Sequence, residues 1–319
     1  MNIPSAADLE RRLAGLSAAQ REQLERKLQE RRGGGMRHSE IRCLEERTSA
    51  PLSFAQQRLW FLDRLEEGSS SYNVASAVLL KGPLNIDALE RAVTSVVHRH
   101  ATLRTRFPEV DGTPVQVIDP PGEVPFPIDD LTMLAESEKD AEVARRVHEE
   151  AKKPFDIARG SVFRAGLLRV RAEEAVFFCT LHHIVSDAWS RTILFRELAS
   201  FYEAFSLGHE PSLPRLPIQY GDYAEWQREW LRSGEMQSQL EYWQEQLKGE
   251  LPVLELPTDH PRPPVATLRG GRRQFTIVPS VAGRLKTFCR AEGVTLFMAS
   301  LAAFTVLLRR YSGQDDVIV

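Results

Sequence analysis

The pattern of hydrophobic and polar positions predicts alternating helices and strands from residue 51 onward. Residues 52–65, "LSFAQQRLWFLDRL", have helical spacing, and Ser53 stands three residues before Gln56, as in a capping box. Residues 85–100, "NIDALERAVTSVVHRH", predict a second helix that opens at Asn85. Its inner face carries Ile86, Leu89, Val93, Val96 and Val97. Both helices are therefore expected to bury one apolar face.

Strand-like runs occur between these helical patterns. They are "YNVASAVLLKG" at 72–82, "TPVQVID" at 113–119 and, later, "RRQFTIV" at 272–278 and the final "DDVIV". Residues 161–185, "SVFRAGLLRVRAEEAVFFCTLHHIV", predict a hairpin that turns at "RAEEA". Further helices are predicted at 135–153, from Trp189 to Phe205, along a long segment with Trp226, Trp230 and Trp243, and twice within 280–313. Mixed strands and helices in this order predict a layered α/β (α+β) fold.

Glycine- and proline-rich segments suggest the boundaries between parts of the chain. Residues 1–32 predict short helices that form either a solvated leader or a docking segment for another protein, and residues 33–50 predict a linker. A second Pro/Gly-rich segment at 256–271 divides a first lobe, 51–258, from the beginning of a second, 259–319.

Composition narrows the functional class only slightly. The 319 residues carry a net charge of −3, which gives no basic field for nucleic acid or an anionic membrane. No apolar run approaches the roughly 20 residues of a membrane span. Cys43, Cys179 and Cys289 are scattered and match neither a disulfide framework nor a zinc pattern. We therefore expect a cytoplasmic protein without a metal.

Candidate chemistry is concentrated in "FFCTLHHIVSDAWS", residues 177–190, where His182, His183 and Asp187 follow a strand-like run. Side chains alternate along a strand, so the two rings are expected to face opposite sides, one towards an opening and one towards the interior. Diverging rings also argue against a shared zinc ion. An imidazole in a cleft can accept a proton near neutral pH. The plainer alternative is a buried histidine pair with Asp187 as a helix N-cap.

Four motifs in fixed order make a stronger case than this one alone. They are "LSFAQQRLWFLDRL", "RHATLRTRF" at 99–107, "LHHIVSDAWS" at 181–190 and "YGDYAEWQ" at 220–227. Together they closely resemble the first four core motifs of nonribosomal peptide synthetase condensation domains, over roughly residues 50 to 319. The resemblance implies the two-lobed fold of chloramphenicol acetyltransferase, with a crossover helix in the first lobe and a tunnel between the lobes.

The resemblance also implies the reaction and the partners. A donor and an acceptor carrier protein deliver substrates tethered to phosphopantetheine, and the acceptor amine attacks the donor thioester to form an amide. The domain itself holds no cofactor, and a neighbouring adenylation domain performs the ATP chemistry. No nucleic acid or membrane partner is implied.

Site residues are assigned by their positions in the motifs. His183 matches the second histidine and is the expected catalytic group, while His182 matches the first and is expected to be structural. Asp187 matches the motif aspartate and is expected to be a salt-bridge anchor, with Arg104 as one possible partner. Ala188 departs from the pattern, because the family has glycine there. Alanine is harmless if the position begins a helix and is strained if it needs positive φ.

The chain stops at "GQDDVIV", before the later family motifs. We therefore expect a fragment of a longer synthetase whose second lobe is incomplete. Two alternatives to a condensation enzyme stay open. One is a non-catalytic scaffold that binds carrier proteins, and the other is a free-standing acyltransferase that uses a coenzyme A thioester.

Overall fold

The computed structural model describes residues 41–43, 47–66, 68–232, 235–261, 264 and 273–318. The predicted leader at 1–32 lies outside these residues, and so does most of the predicted linker. The chain divides into two compact units, one ending at Met236 and the other beginning at Gln237. The sequence placed the boundary later, after residue 258, at a Pro-rich segment that lies within the second unit.

In the first unit, the described residues form eight strands and five helices. The strands are β1 (Ser49–Pro51), β2 (Asn73–Lys81), β3 (Thr105–Arg106), β4 (Glu109–Val110), β5 (Thr113–Ile118), β6 (Ile128–Asp130), β7 (Phe163–Arg171) and β8 (Glu174–His182). The helices are α1 (Phe54–Leu65), α2 (Ile86–Arg99), α3 (Glu136–Lys152), α4 (Ala188–Ser206) and α5 (Tyr220–Arg232). Two short 3₁₀ turns occur at Ala101–Arg104 and His183–Val185.

The main sheet has the strand order β2-β8-β7-β6. Strand β8 pairs antiparallel with both β2 and β7, so the predicted hairpin is present, and β6 joins β7 in parallel. Within this register His182 lies opposite Asn73 and Leu181 lies opposite Phe163. The histidine end of β8 is therefore held between two neighbouring strands, which fixes where the following turn begins.

Helices α2 and α4 pack with the sheet into the largest apolar cluster of the described residues. The predicted inner-face residues of α2 are buried, apart from a partly buried Ile86, and meet Phe177, Cys179 and Leu181 of β8 and Leu194, Leu198 and Phe201 of α4. A smaller cluster on α3 packs Val143 and Val147 near Leu168 and Val176. Burying each large side chain stabilises the fold by about 1.5–3 kcal/mol, so strand β8 is anchored firmly.

The predicted linker and the predicted later strands differ from the structure. Strand β1 begins at Ser49, inside the predicted linker, because the short segment "SAP" becomes a strand only by pairing with β5. Residues 273–278 and 315–318 form no strand, although their composition favours one. An extended segment counts as a strand only with a hydrogen-bonded neighbour, and no described segment pairs with either. The predicted Trp-containing helix corresponds to α5 and α6 (Glu235–Gln246), and residues 233–234 lie outside the described residues.

The second unit contains most of α6 together with α7 (Pro279–Ala291) and α8 (Leu296–Ser312). Thr295 caps α8, and Gly313 ends it with a φ of 72°, which glycine adopts without strain. The Gln314 side chain then accepts from the Glu255 backbone N–H at 2.9 Å and donates to the Val253 carbonyl at 2.9 Å. These bonds fix the segment before residue 256 to the end of α8.

Among the described residues, no single helix is both long and apolar enough to cross a membrane. Helices α7 and α8 meet the length and composition criteria only as a pair, and they are bent by 109° at the break between them.

Candidate active site

The candidate site begins where strand β8 changes into a 3₁₀ turn. His182 is the last strand residue, and its backbone N–H donates to the Val162 carbonyl at 2.9 Å. His183 opens the turn, and its backbone N–H donates to the Tyr72 carbonyl at 2.8 Å. His182 is buried and His183 exposed, as expected, but His183 belongs to the turn and not to the strand from which that expectation came.

His182 is a buried and neutral histidine. His182 is only 2% exposed, and its ring contacts the rings of Tyr72 and Phe155. Its Nδ1 accepts the Ile184 backbone N–H at 3.1 Å, so Nε2 carries the ring proton. Burial, with a smaller contribution from the charge of His183, lowers the pKa of His182 to about 4. Its Nε2 lies 3.7 Å from Asp63 Oδ1, beyond hydrogen-bond length. His182 therefore holds the turn and carries no proton at neutral pH beyond the one on Nε2.

His183, by contrast, is exposed, and one of its ring nitrogens is engaged in a hydrogen bond. Its Nδ1 lies 2.6 Å from the Ser186 carbonyl oxygen. A carbonyl can only accept, so Nδ1 must carry the hydrogen in this bond. In the neutral ring, Nε2 then keeps a free lone pair. The turn thus presents a solvent-accessible imidazole in the tautomer that accepts a proton through Nε2.

Asp187 is the N-cap of α4. Its Oδ1 accepts the Ser190 backbone N–H at 2.7 Å, and its own backbone N–H donates to Ser190 Oγ at 2.8 Å. The hydrogen bonds that the carboxylate accepts, first from the Ser190 backbone N–H and then from the Ser190 side chain, hold the pKa of Asp187 below its ordinary value. The carboxylate is therefore ionised at neutral pH and is used to start the helix.

Arg104 does not meet Asp187. Its Nη1 donates to the Asp119 carbonyl, and the described residues contain no ion pair between Arg104 and Asp187. Burial lowers the pKa of Arg104, an effect that the charge of Asp119 partly offsets. Asp187 is satisfied locally by backbone groups, so it needs no guanidinium. Asp187 is therefore a helix N-cap, the plainer of the two alternatives, and not the expected salt-bridge partner of Arg104.

Ala188 is the first residue of α4 and is exposed. Among the described residues, the only non-glycine residue with positive φ is Asp111, so Ala188 has an ordinary backbone conformation. Alanine is the best helix former, and this position makes no demand that only glycine meets. The departure from the family pattern is therefore harmless to the local backbone.

A buried amide beneath the turn was missed at the sequence level. Gln56 completes the predicted capping box by accepting the Ser53 backbone N–H at 3.0 Å. Its Nε2 also donates to Gln116 Oε1 at 3.3 Å and reaches the Ile184 carbonyl at 3.5 Å. Gln56 therefore joins α1 and β5 to the turn that bears His183. The position of Gln56 within the first motif was the only signal for this role. The spacing between Ser53 and Gln56 predicts a helix cap and no contact with the turn.

Tyr220 links the same support to the fourth motif. Its hydroxyl oxygen lies 3.0 Å from Ser53 Oγ, the cap of α1. Burial raises the pKa of Tyr220, and the negative charge of Asp187 adds to this. Hydrogen bonds therefore join residues of the first, third and fourth motifs, whereas Arg104 of the second motif bonds to Asp119 and not to Asp187.

The described residues contain no group of three or more His, Cys, Asp or Glu side chains that could hold a metal ion. The chemical groups of the site are an exposed imidazole and backbone dipoles on a rigid turn. Such a site can position a nucleophile and take its proton.

Fold and site together define a mixed α/β protein that presents one proton-accepting histidine at the end of a central strand. The family model described as "Condensation domain" matches residues 46–319, and the chain belongs to this family.

Its relatives include very large synthetases. One component of the linear gramicidin synthase of Brevibacillus parabrevis is 48% identical over 269 residues, which cover 84% of this chain and 4% of that protein. Phosphinothricin tripeptide synthetase PhsC of Streptomyces viridochromogenes is 39% identical over 312 residues, which cover 98% of this chain and 29% of that protein. The chain therefore spans only a small part of such relatives.

Solved structures agree with the family. The X-domain from teicoplanin biosynthesis is 28% identical with a TM-score of 0.72, covering 86% of this chain and 60% of that one. The first condensation domain of the calcium-dependent antibiotic synthetase has a TM-score of 0.70 at 20% identity, covering 85% and 63%. The second likeness concerns the fold alone, and it confirms the fold class expected from the sequence.

Proposed function

We propose that this chain provides the N-terminal part of an amide-forming condensation domain, in which His183 is the catalytic residue. The observation that carries the proposal is the bond between His183 Nδ1 and the Ser186 carbonyl, which leaves Nε2 as the proton acceptor of an exposed ring. Family membership supplies the reaction class.

The proposed reaction transfers an acyl group from sulfur to nitrogen. The acceptor α-amine attacks the carbonyl carbon of the donor thioester, a carbon–nitrogen bond forms and the carbon–sulfur bond breaks. His183 Nε2 positions the amine and takes the proton that its nitrogen loses, and the donor thiolate regains a proton as it leaves. His182 and Asp187 act through the turn and the helix cap, not through contact with substrate.

Both substrates are proposed to arrive on carrier proteins, tethered through phosphopantetheine. A neighbouring adenylation domain would charge the acceptor carrier. The size of the related synthetases supports this arrangement, since a protein of which this chain spans only 4% has room for many further domains. The domain itself would hold no cofactor, because the thioester already carries the activation energy.

The test is His183→Ala in the complete synthetase, with loaded donor and acceptor carriers. Removing a general base costs about 10²- to 10⁴-fold in rate, so dipeptide formation should fall by at least about a hundredfold. His209→Ala, on an exposed loop, is the matched control and should keep full activity. The readout is condensation product per minute by mass spectrometry, with near-ultraviolet circular dichroism to verify the fold. Unchanged product formation by His183→Ala would refute the assignment.

A further inference from the structure

A cavity of about 550 Å³ lies at the start of strand β7, outside the candidate active site. The segment 119–127 and the segment 159–165 form its walls, and neither His183 nor Asp187 contributes to it. Its volume is in the range of small-molecule sites, about 300–1,000 Å³. The cavity is therefore a separate candidate for ligand binding.

The cavity wall is unusually rich in positive charge. Five cations line it, namely Arg104, Arg106, Lys153, Arg159 and Arg164. Two of them are already neutralised: Arg106 forms two 2.8 Å hydrogen bonds to the Asp119 carboxylate, and Arg164 pairs with Glu150.

The other three cations form no ion pair with a carboxylate of the described residues. Across this part of the chain, the side chains of Lys153 and Arg159 form neither a hydrogen bond nor an ion pair, and both are exposed. The Nε of Arg104 is shielded from solvent and has no acceptor among the same residues. Glu123, the remaining lining carboxylate, offsets only part of this charge. The wall therefore carries an excess of positive charge that an anion would complement.

The floor of the same cavity is apolar. Val97, Leu103, Phe163 and Ala165, which are buried side chains of the main core, contribute to it, and the more exposed Phe178 contributes from the opposite face of the sheet, towards α3. A purely inorganic ion would leave this floor unused, whereas an apolar body with one anionic group would contact both parts.

We propose that this cavity binds a small amphiphilic anion, one that places a phosphate or carboxylate between Lys153 and Arg159 and an apolar chain against Phe178. Guanidinium and ammonium groups provide charge-assisted hydrogen bonds to such an anion. The site adds to the proposed condensation function and does not depend on it, because it requires no chemistry at His183.

The test is calorimetric titration of the 319-residue chain with n-hexyl phosphate, with inorganic phosphate and n-hexanol as separate arms. We expect n-hexyl phosphate to bind saturably with 1:1 stoichiometry. Its affinity should be at least about fivefold higher than that of inorganic phosphate or of n-hexanol. Lys153→Ala and Arg159→Ala should each weaken it about fivefold, the effect of one exposed charge pair.

Lys152→Ala is the matched control. Lys152 is also exposed and carries the same charge one residue earlier, but it does not line the cavity. The affinity of Lys152→Ala for n-hexyl phosphate should stay within about twofold of the parent protein's. This comparison separates the effect of the position of the charge from the effect of net charge. The contacts of Lys153 within the fold use its backbone, so removing its side chain leaves them intact. Equal weakening by Lys152→Ala and Lys153→Ala, equal binding of inorganic phosphate, or no binding of n-hexyl phosphate would overturn the proposal.

Discussion

Two identical side chains, adjacent in sequence, are given opposite properties by one turn. His182 accepts a backbone N–H at Nδ1, whereas His183 donates its Nδ1 hydrogen to a carbonyl. The first ring is buried and the second is exposed. In the exposed ring of His183 the proton-accepting nitrogen is therefore left free of the Ser186 bond, whereas in His182 it accepts a backbone hydrogen bond.

At this scale we predict that His182 makes the fold sensitive to acid. Its pKa in the folded state is lowered to about 4, whereas an unfolded chain binds the proton near pH 6.5. Its contribution is therefore fully present above about pH 6.5 and is lost as pH falls towards 4, because the unfolded chain then binds more protons. The loss in free energy of unfolding should reach about 3 kcal/mol.

The measurement is urea unfolding of the parent protein and of His182→Gln at several pH values between 4 and 7. The variant has no titrating ring there, so its stability should depend less steeply on pH, whatever its absolute stability. His148→Gln, at an exposed position of α3, should retain the parent's slope. If His182→Gln and the parent lose stability in parallel, the buried ring is not the group that responds to acid.

At the scale of elements, helix α4 connects the motif to the core. Its N-cap is Asp187, four residues after His183, and its buried side chains Leu194, Leu198 and Phe201 belong to the main apolar cluster. The cap therefore fixes where the helix starts, and the packed face fixes its position on the sheet. Together they hold the loop that contains the Ser186 carbonyl.

We predict that Asp187→Ala lowers the free energy of unfolding by about 1 kcal/mol, the usual cost of losing an N-cap. Asp187→Asn should stay within a few tenths of a kcal/mol of the parent, because the amide oxygen also accepts from the Ser190 N–H. A buried salt bridge would instead lose about 3–5 kcal/mol with either substitution.

The measurement for this prediction is equilibrium denaturation followed by far-ultraviolet circular dichroism. Asn85→Ala, which removes the side-chain cap of α2, serves as the reference for a simple cap loss. A destabilisation by Asp187→Asn as large as that by Asp187→Ala would restore the ion-pair interpretation.

Local features of these elements were predictable, and long-range ones were not. The capping box at Ser53, the cap at Asn85 and the β7–β8 hairpin depend on residues a few positions apart, and the structure contains all three. Strand β1 depends on pairing with β5, some 65 residues later. The Ile184 carbonyl that Gln56 reaches belongs to a residue 128 positions away. One sequence alone does not indicate which residues of such distant segments lie next to each other in the fold.

At the scale of the whole molecule, the question is how a substrate would reach the proposed catalytic residue, His183. The chain covers 4% of its linear gramicidin synthase relative, so related domains work inside far larger proteins. In such an assembly a tethered thioester is present at a high effective concentration, in the millimolar range for short flexible linkers. The fold class alone does not distinguish a domain that receives its substrates from carrier proteins from a free-standing acyltransferase.

We predict that free coenzyme A thioesters do not replace the carrier-bound donor. A diffusible thioester lacks both the tether and the carrier surface, so it must bind through its acyl and pantetheine parts alone. The measurement is amide formation by the complete synthetase with carrier-bound donor, alone and with excess acyl-coenzyme A of a distinguishable acyl chain. Product should carry the carrier-bound acyl group, and His183→Ala should remove it. Abundant product from the coenzyme A donor, lost in His183→Ala, would instead identify a free-standing type of acyltransferase.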